Sequence, residues 1–286
     1  MTWDVVAGVD GSGRSLRAVM WAAHDAALRG RSLRLVHALP RWEGDFPFFP
    51  PGRFEEAERH GRAAVEDAAA LVRETYPHLE IASDLVKGTP AQVLLAEGRE
   101  AHSVVLGAQG ENVGNMLMGS TTMQVVGHAT CPVAVVAHAS VGHHRVVVGT
   151  DGSATSVRAL EHAFREASLR RARLRVVSAI GLPQGWPRHL LRPLPPDDEE
   201  VAARRQGVEM QIAALRQQHP DVTVEVHVHR RDPVAVLADA SHKADLMVVG
   251  SRGRGGFHGL AVGSVTHALL HFVGCPTVVI RPEPEV

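Results

Sequence analysis

Two Asp-Gly-Ser tripeptides and two Gly-rich loops are the parts of this chain whose residue types and spacing could do chemistry. Asp10-Gly11-Ser12 and Asp151-Gly152-Ser153 each follow an apolar run. A carboxylate at a strand end can accept hydrogen bonds from a ribose or help hold a phosphate-bound metal. The same Asp can equally serve a turn or cap a helix. The longer loop runs from Gly250 through Ser251, Arg252, Gly253, Arg254, Gly255 and Gly256 to Gly263-Ser264. Its glycines permit sharp turns and close backbone approach to a ligand. Gly263-Ser264 then opens a helix pattern, where free N–H groups and a Ser hydroxyl suit an anion. Arg252 and Arg254 add positive charge. A flexible surface loop is the bland alternative, and the position between an apolar strand and a helix speaks against it. These residues point to a phosphate-containing ligand, a nucleotide, in the second half of the chain.

Other chemistries lack their residues. No Gly-Lys-Ser/Thr occurs, so this is not a P-loop, and no Gly-x-Gly-x-x-Gly follows the first strand. We recognise no nucleophile–base–orienter set and no carboxylate pair spaced for acid–base work; Ser12 and Ser153 do not sit in a Gly-x-Ser-x-Gly elbow. His267 and His271, or His227 and His229, could supply two metal ligands each, but no companion is spaced to complete a site. Cys131 and Cys275 each precede a Pro. They read as buried structural thiols, with a redox sensor as the alternative if their pKa values were depressed.

The elements that position these residues come in two copies. Val5-Val6-Ala7-Gly8-Val9-Asp10-Gly11-Ser12 reappears as Val146-Val147-Val148-Gly149-Thr150-Asp151-Gly152-Ser153, an offset of 141 residues. Val105-Leu106-Gly107 matches Val248-Val249-Gly250 at 143, and Cys131-Pro132 matches Cys275-Pro276 at 144. The ordered matches predict two tandem domains, 1–139 and 140–286, joined by a short polar link. In the first copy, strand patterns at 4–9, 32–38, 79–86, 103–107 and 132–137 alternate with helix patterns at 15–28, 54–75, 90–100 and 119–128. Continuous apolar strands alternating with helices predict an α/β fold: two Rossmann-like domains, each a five-stranded parallel sheet with helices on both faces. In such sheets ligands bind beyond the carboxyl ends of the strands, where both motifs fall.

Composition bounds the rest. At 45% hydrophobic and 21% charged, the chain is globular, not disordered. Lys+Arg 30 against Asp+Glu 31 leaves no basic excess, so nucleic acid is not an expected partner. No apolar run is long enough to span a membrane. The absence of a signal-like leader and the two Cys point to the cytoplasm.

Gly250-x-x-Gly253, nine residues, then Gly263-Ser264 resembles the ATP-binding pattern of the universal stress protein family. The opening Val-Asp-Gly-Ser and the late Cys-Pro before the last strand are also typical, and the resemblance spans nearly the whole chain as two tandem copies. It implies a nucleotide-binding stress or dormancy regulator with no settled catalytic reaction, whose ligand is ATP, with or without Mg. Asp151 would meet the ribose or the metal-phosphate end, Gly250, Gly253, Gly263 and Ser264 would surround the phosphates and ribose, and Val177 would lie near the adenine; Arg252 joins this site by its charge. The first-copy counterparts are Asp10, Val36, Gly107, Gly110, Gly119 and Ser120. That copy departs from the pattern: eight residues separate Gly110 from Gly119, and Gln109 and Glu111 replace Arg252 and Arg254. Expected partners are a second copy of the chain, as a homodimer, and an unidentified protein. The last strands of the two copies are expected to pair as an intrachain pseudo-dimer. Pro- and aromatic-rich loops at 40–54 and 181–198 read either as contact surfaces or as loops folded on their own domains. A slow ATPase or nucleotidyl-transfer enzyme, and a nucleotide-free interaction module, are the alternative functions.

Overall fold

The computed structural model describes residues 5–39, 52–108, 118–138, 140, 142–181, 199–253 and 261–282. The chain divides into two compact units between Ala139 and Ser140. In the first, β1 (Val5–Gly8), α1 (Gly13–Arg29), β2 (Leu33–Leu39), α2 (Arg53–Thr75) and β3 (Ile81–Lys87) form one winding. The other is α3 (Pro90–Glu97), β4 (Ser103–Gly107), α4 (Ser120–His128) and β5 (Val133–Val136). The strands lie in the order β3-β2-β1-β4-β5 and pair in parallel. The second unit repeats this with β6 (Arg145–Gly149), α5 (Ala154–Leu169), β7 (Arg173–Ala179), α6 (Glu199–Gln218) and β8 (Val224–His229). It continues with α7 (Pro233–Ser241), β9 (Leu246–Gly250), α8 (Ser264–Leu269) and β10 (Thr277–Ile280). Its order is β8-β7-β6-β9-β10, again parallel. Each unit is therefore a Rossmann-like α/β fold.

The apolar runs are explained by burial on both faces. Val5, Val6 and Ala7 of β1 and Val104 and Val105 of β4 have no exposed surface, nor do Val146, Val147 and Val148 of β6. Burying each such valine contributes about 1.5–3 kcal/mol, so the central strands need no polar alternation. The outer strand β3 does expose Ser83 and Asp84. Local signals set the helix ends. Ser12 accepts from Ser15 N at the start of α1, and Gly30 closes it with φ 63°. Thr89 and Gln92 form a capping box on α3, with Pro90 in its first turn.

Most boundaries fall within two residues of the sequence pattern; the largest difference is at α3, which the pattern carries to residue 100. The helix stops at Glu97, and the chain tightens through Arg99 N to Ala96 O and Glu100 N to Glu97 O. At Gly98 the backbone turns against β4: a Cβ there would stand 3.0 Å from Val104 Cγ2 and 3.2 Å from Cys131 Sγ. Packing at Gly98 and the low helix propensity of glycine act together at this stop.

A buried acid closes the first helix of each unit. Asp25, 1% exposed, takes Arg29 Nε at 2.8 Å and Nη2 at 3.1 Å. At the same 141-residue offset Glu166, also 1% exposed, pairs with Arg170 and lies 3.3 Å from His162 Nε2. Removing one partner strands a charge without its counterion, which costs about 3–5 kcal/mol. Glu166→Ala should therefore lose about 3 kcal/mol of unfolding free energy in urea, while Glu58→Ala, in the exposed Arg62 pair, should lose under about 1. Equal losses would contradict this account.

Candidate functional site

In each unit a cavity opens at the carboxyl ends of the strands, between the first and fourth. The first, ≈ 190 Å³, has Asp10 beyond β1, Val36 and His37 on β2, and Gly107 on β4 in its wall. Gly119, Ser120 and Thr121 close it from the start of α4, and Pro90, Val93 and Leu94 form an apolar side. The second, ≈ 230 Å³, has the matching wall of Asp151, Val177, Gly250, Gly263 and Ser264, with Pro233 and Leu237 as its apolar side. Arg252 and Gly253 add to it.

The Asp turns are built alike. Asp10 Oδ1 accepts Ser12 N at 3.0 Å, and Asp151 Oδ1 accepts Ser153 N at 2.9 Å. Gly11 (φ 86°) and Gly152 (φ 79°) take the left-handed conformation that the turn requires. Thus one carboxylate oxygen serves the turn. The other oxygen of Asp151, Oδ2, lies so near Gly253 that a Cβ on that residue would come within 2.4 Å of it. The carboxylate and the loop backbone form a cradle with no room for a side chain.

Opposite the Asp, the helix starts are clamped to the strand exits. Gly119 N donates to Ala108 O and Gly263 N to Ser251 O, both at 2.8 Å. Thr122 Oγ1 donates to Gly107 O at 2.9 Å, and Thr266 Oγ1 to Gly250 O at 2.7 Å. Both helices begin at a glycine whose side chain cannot cap. Their first-turn residues line the cavities, and first-turn N–H groups have no partner within a helix. The arrangement presents backbone donors facing a carboxylate turn, with an apolar flank suited to a planar ring.

The structure brings Asp10, Val36, Gly107, Gly119 and Ser120 to one cavity, and Asp151, Val177, Gly250, Arg252, Gly253, Gly263 and Ser264 to the other. Gly110 lies outside the described residues, as do Gln109, Glu111, Arg254, Gly255, Gly256, residues 40–51 and residues 182–198. The sequence reading missed the clamping threonines, although Ser-x-Thr at both helix starts was a repeat signal. It also missed His37, whose Nδ1 is 2.8 Å from Val9 O and so must carry the proton. Its ring meets His60 of α2 edge-on. The second unit has Ser178 at that place, and Arg204 of α6 donates to Asp151 O at 3.1 Å. No periodicity announces such contacts between distant elements.

Burial is the main force that lowers the His37 pKa, and His60 adds repulsion; the bond to Val9 and the Asp10 charge oppose them. Burial also pushes the Cys131 thiol up to about 11 and Cys275 up to about 12, so neither is primed as a thiolate. The His267–His271 rings lie 5.3 Å apart and His227–His229 6.2 Å. Among the described residues no three His, Cys, Asp or Glu side chains group as a metal site, and no helix is long and apolar enough to cross a membrane.

A doubly wound parallel sheet with a cleft at its switch point, present twice, defines a tandem Rossmann-like α/β protein. The profile of the universal stress protein family matches residues 1–137 and again 142–281. Universal stress protein Rv2005c of Mycobacterium tuberculosis is 35% identical over 294 aligned residues, covering 97% of this chain and 96% of that protein. A universal stress protein of Mycolicibacterium smegmatis is 32% identical, covering 98% of each. The crystal structure of a universal stress protein from Archaeoglobus fulgidus shares the fold with a TM-score of 0.74 at 17% identity, covering 99% of this chain and 97% of that one. The chain belongs to the universal stress protein family.

Two outcomes test this description. Burial disfavours the charged form of His37, so stability is present above its ordinary value of 6.5 and is lost as pH falls below it. His37→Asn should flatten the fall in Tm between about pH 7.5 and 5; an unchanged slope would contradict the assignment. In the native protein neither thiol should react with a maleimide at pH 8 within minutes, whereas unfolded chain should take up two.

Proposed function

We propose that the chain binds ATP in its two clefts and acts as a stress or dormancy regulator. Occupancy would stabilise one conformation or assembly and so report energy status to a protein partner. The observation that supports this reading is the cavity whose wall holds both the closely packed Asp151–Gly253 cradle and the uncapped start of α8, groups suited to a ribose and phosphates. Val177, Pro233 and Leu237 supply the flank for the adenine. Asp151 and Asp10 are the carboxylates that would hold Mg bound to the phosphates, screening their charge. Because the first copy has a shorter loop with Gln109 and Glu111, the second copy is the tighter site.

Calorimetry with ATP tests the proposal. Gly253→Ala must displace the Asp151 carboxylate, and the second-site affinity should drop at least about tenfold, or 1.4 kcal/mol, with the fold intact by circular dichroism. Gly110→Ala should cost less total binding. Equal losses from both variants would remove the ranking of the sites, and unchanged ATP binding in Gly253→Ala would remove the assignment of the cleft. Sizing with and without ATP checks the homodimer, which should shift on addition of nucleotide.

A further inference from the structure

Next to Arg252 of the second cleft, the exits of β9 and β10 hold buried polar atoms of Ser251 and Arg281, which are not part of the cleft wall. Ile280 pairs in register with Gly250, and Ser251 N donates to Ile280 O at 2.7 Å. Arg281 therefore leaves β10 next to Ser251, the residue before Arg252 of the second cleft wall. Arg252 Nε, Arg281 Nη1 and Ser251 Oγ are all buried without a hydrogen-bond partner among the described residues. Arg158 Nη1 donates to Arg281 O at 2.9 Å, which fixes the exit of β10 from the side of α5.

The charges of Arg252 and Arg281 repel each other, with donors withdrawn from water and no acceptor among the described residues. Burial and the Arg252 charge weaken proton binding by Arg281. Such an arrangement gains on receiving an anion, because one phosphate oxygen shared between two guanidinium groups replaces repulsion with two charge-assisted bonds. The first copy has Gln109 and Ala137 at the corresponding places, so it lacks both charges, while Arg17 retains the place of Arg158.

We infer that Arg252 and Arg281 form a receptor for the outer phosphates of a nucleoside polyphosphate, making the second cleft select triphosphates over monophosphates. This rests on the nucleotide reading above but adds a residue and a specificity to it. Arg252 belongs to the cleft wall, whereas Arg281 stands one strand further out, on β10, and is not part of that wall. The pair therefore contributes little to a monophosphate and most to a chain long enough to reach Arg281.

Calorimetry of wild type, Arg281→Gln and Arg281→Lys with AMP, ATP and inorganic tripolyphosphate tests it. Arg281→Gln should weaken ATP at the tighter site about tenfold and AMP less than about twofold, with Arg281→Lys between. Tripolyphosphate should compete with ATP in wild type and about tenfold less well in Arg281→Gln. Equal losses for AMP and ATP, or none, would overturn the inference while leaving ATP binding in place. Tripolyphosphate binding that depends on Arg281 without any binding of AMP or ATP would keep the anion receptor and overturn the nucleotide reading. No binding of any of the three would overturn both.

Discussion

Parallel pairing of one central strand with two neighbours from opposite windings is the constraint on which each unit depends. β1 pairs with β2 and also with β4, and β6 with β7 and β9. Parallel strands all leave the sheet at the same end, so the Asp turn after β1 and the Gly-rich loop after β4 must emerge together. The chain then departs in opposite directions from the two central strands, and a crevice opens between them. Residues about a hundred positions apart, such as Asp10 and Gly107, share one wall for this reason.

The site is assembled from groups that must satisfy the fold before they can meet a ligand. Asp151 spends one oxygen on its own turn and presents the other to the loop backbone. Thr266 and Gly263 anchor α8 to the end of β9, so the cleft stays open because the strand exit and the helix start are bonded to each other. The buried pairs Asp25–Arg29 and Glu166–Arg170 hold the far ends of α1 and α5 in the same way in both units. Duplication kept these supports nearly unchanged while the residues around the clefts diverged. His37 and Ser178, or Ala137 and Arg281, are that divergence.

Most of the fold was legible because it rests on signals that are local or periodic. Apolar runs marked the central strands, since burial on both faces removes the need for polar alternation. The caps that the structure shows on α1, α3 and α5, Ser12, Thr89 and Ser153, are likewise local signals. The end of α3 was not legible, because the contact at Gly98 comes from β4 and from Cys131. The wall residues were legible where a motif repeats, as with Asp10 and Asp151. Contacts made once, by Arg204 on Asp151 or by His60 on the Gly11 turn, were not.

By itself, the sequence determined two α/β copies, the order of their elements and the residues nearest the strand ends. Those follow from side-chain periodicity, from glycine conformational freedom and from the repeat offset. Only the tertiary structure decided which atoms face each other. It set Asp151 Oδ2 against Gly253, gave His37 its tautomer through Val9 O, and aligned the exit of β10 with that of β9. The physical reason is that hydrogen bonds, close contacts and like-charge repulsion act over a few ångströms in space. Such distances between residues far apart in the chain exist only once the strands are aligned.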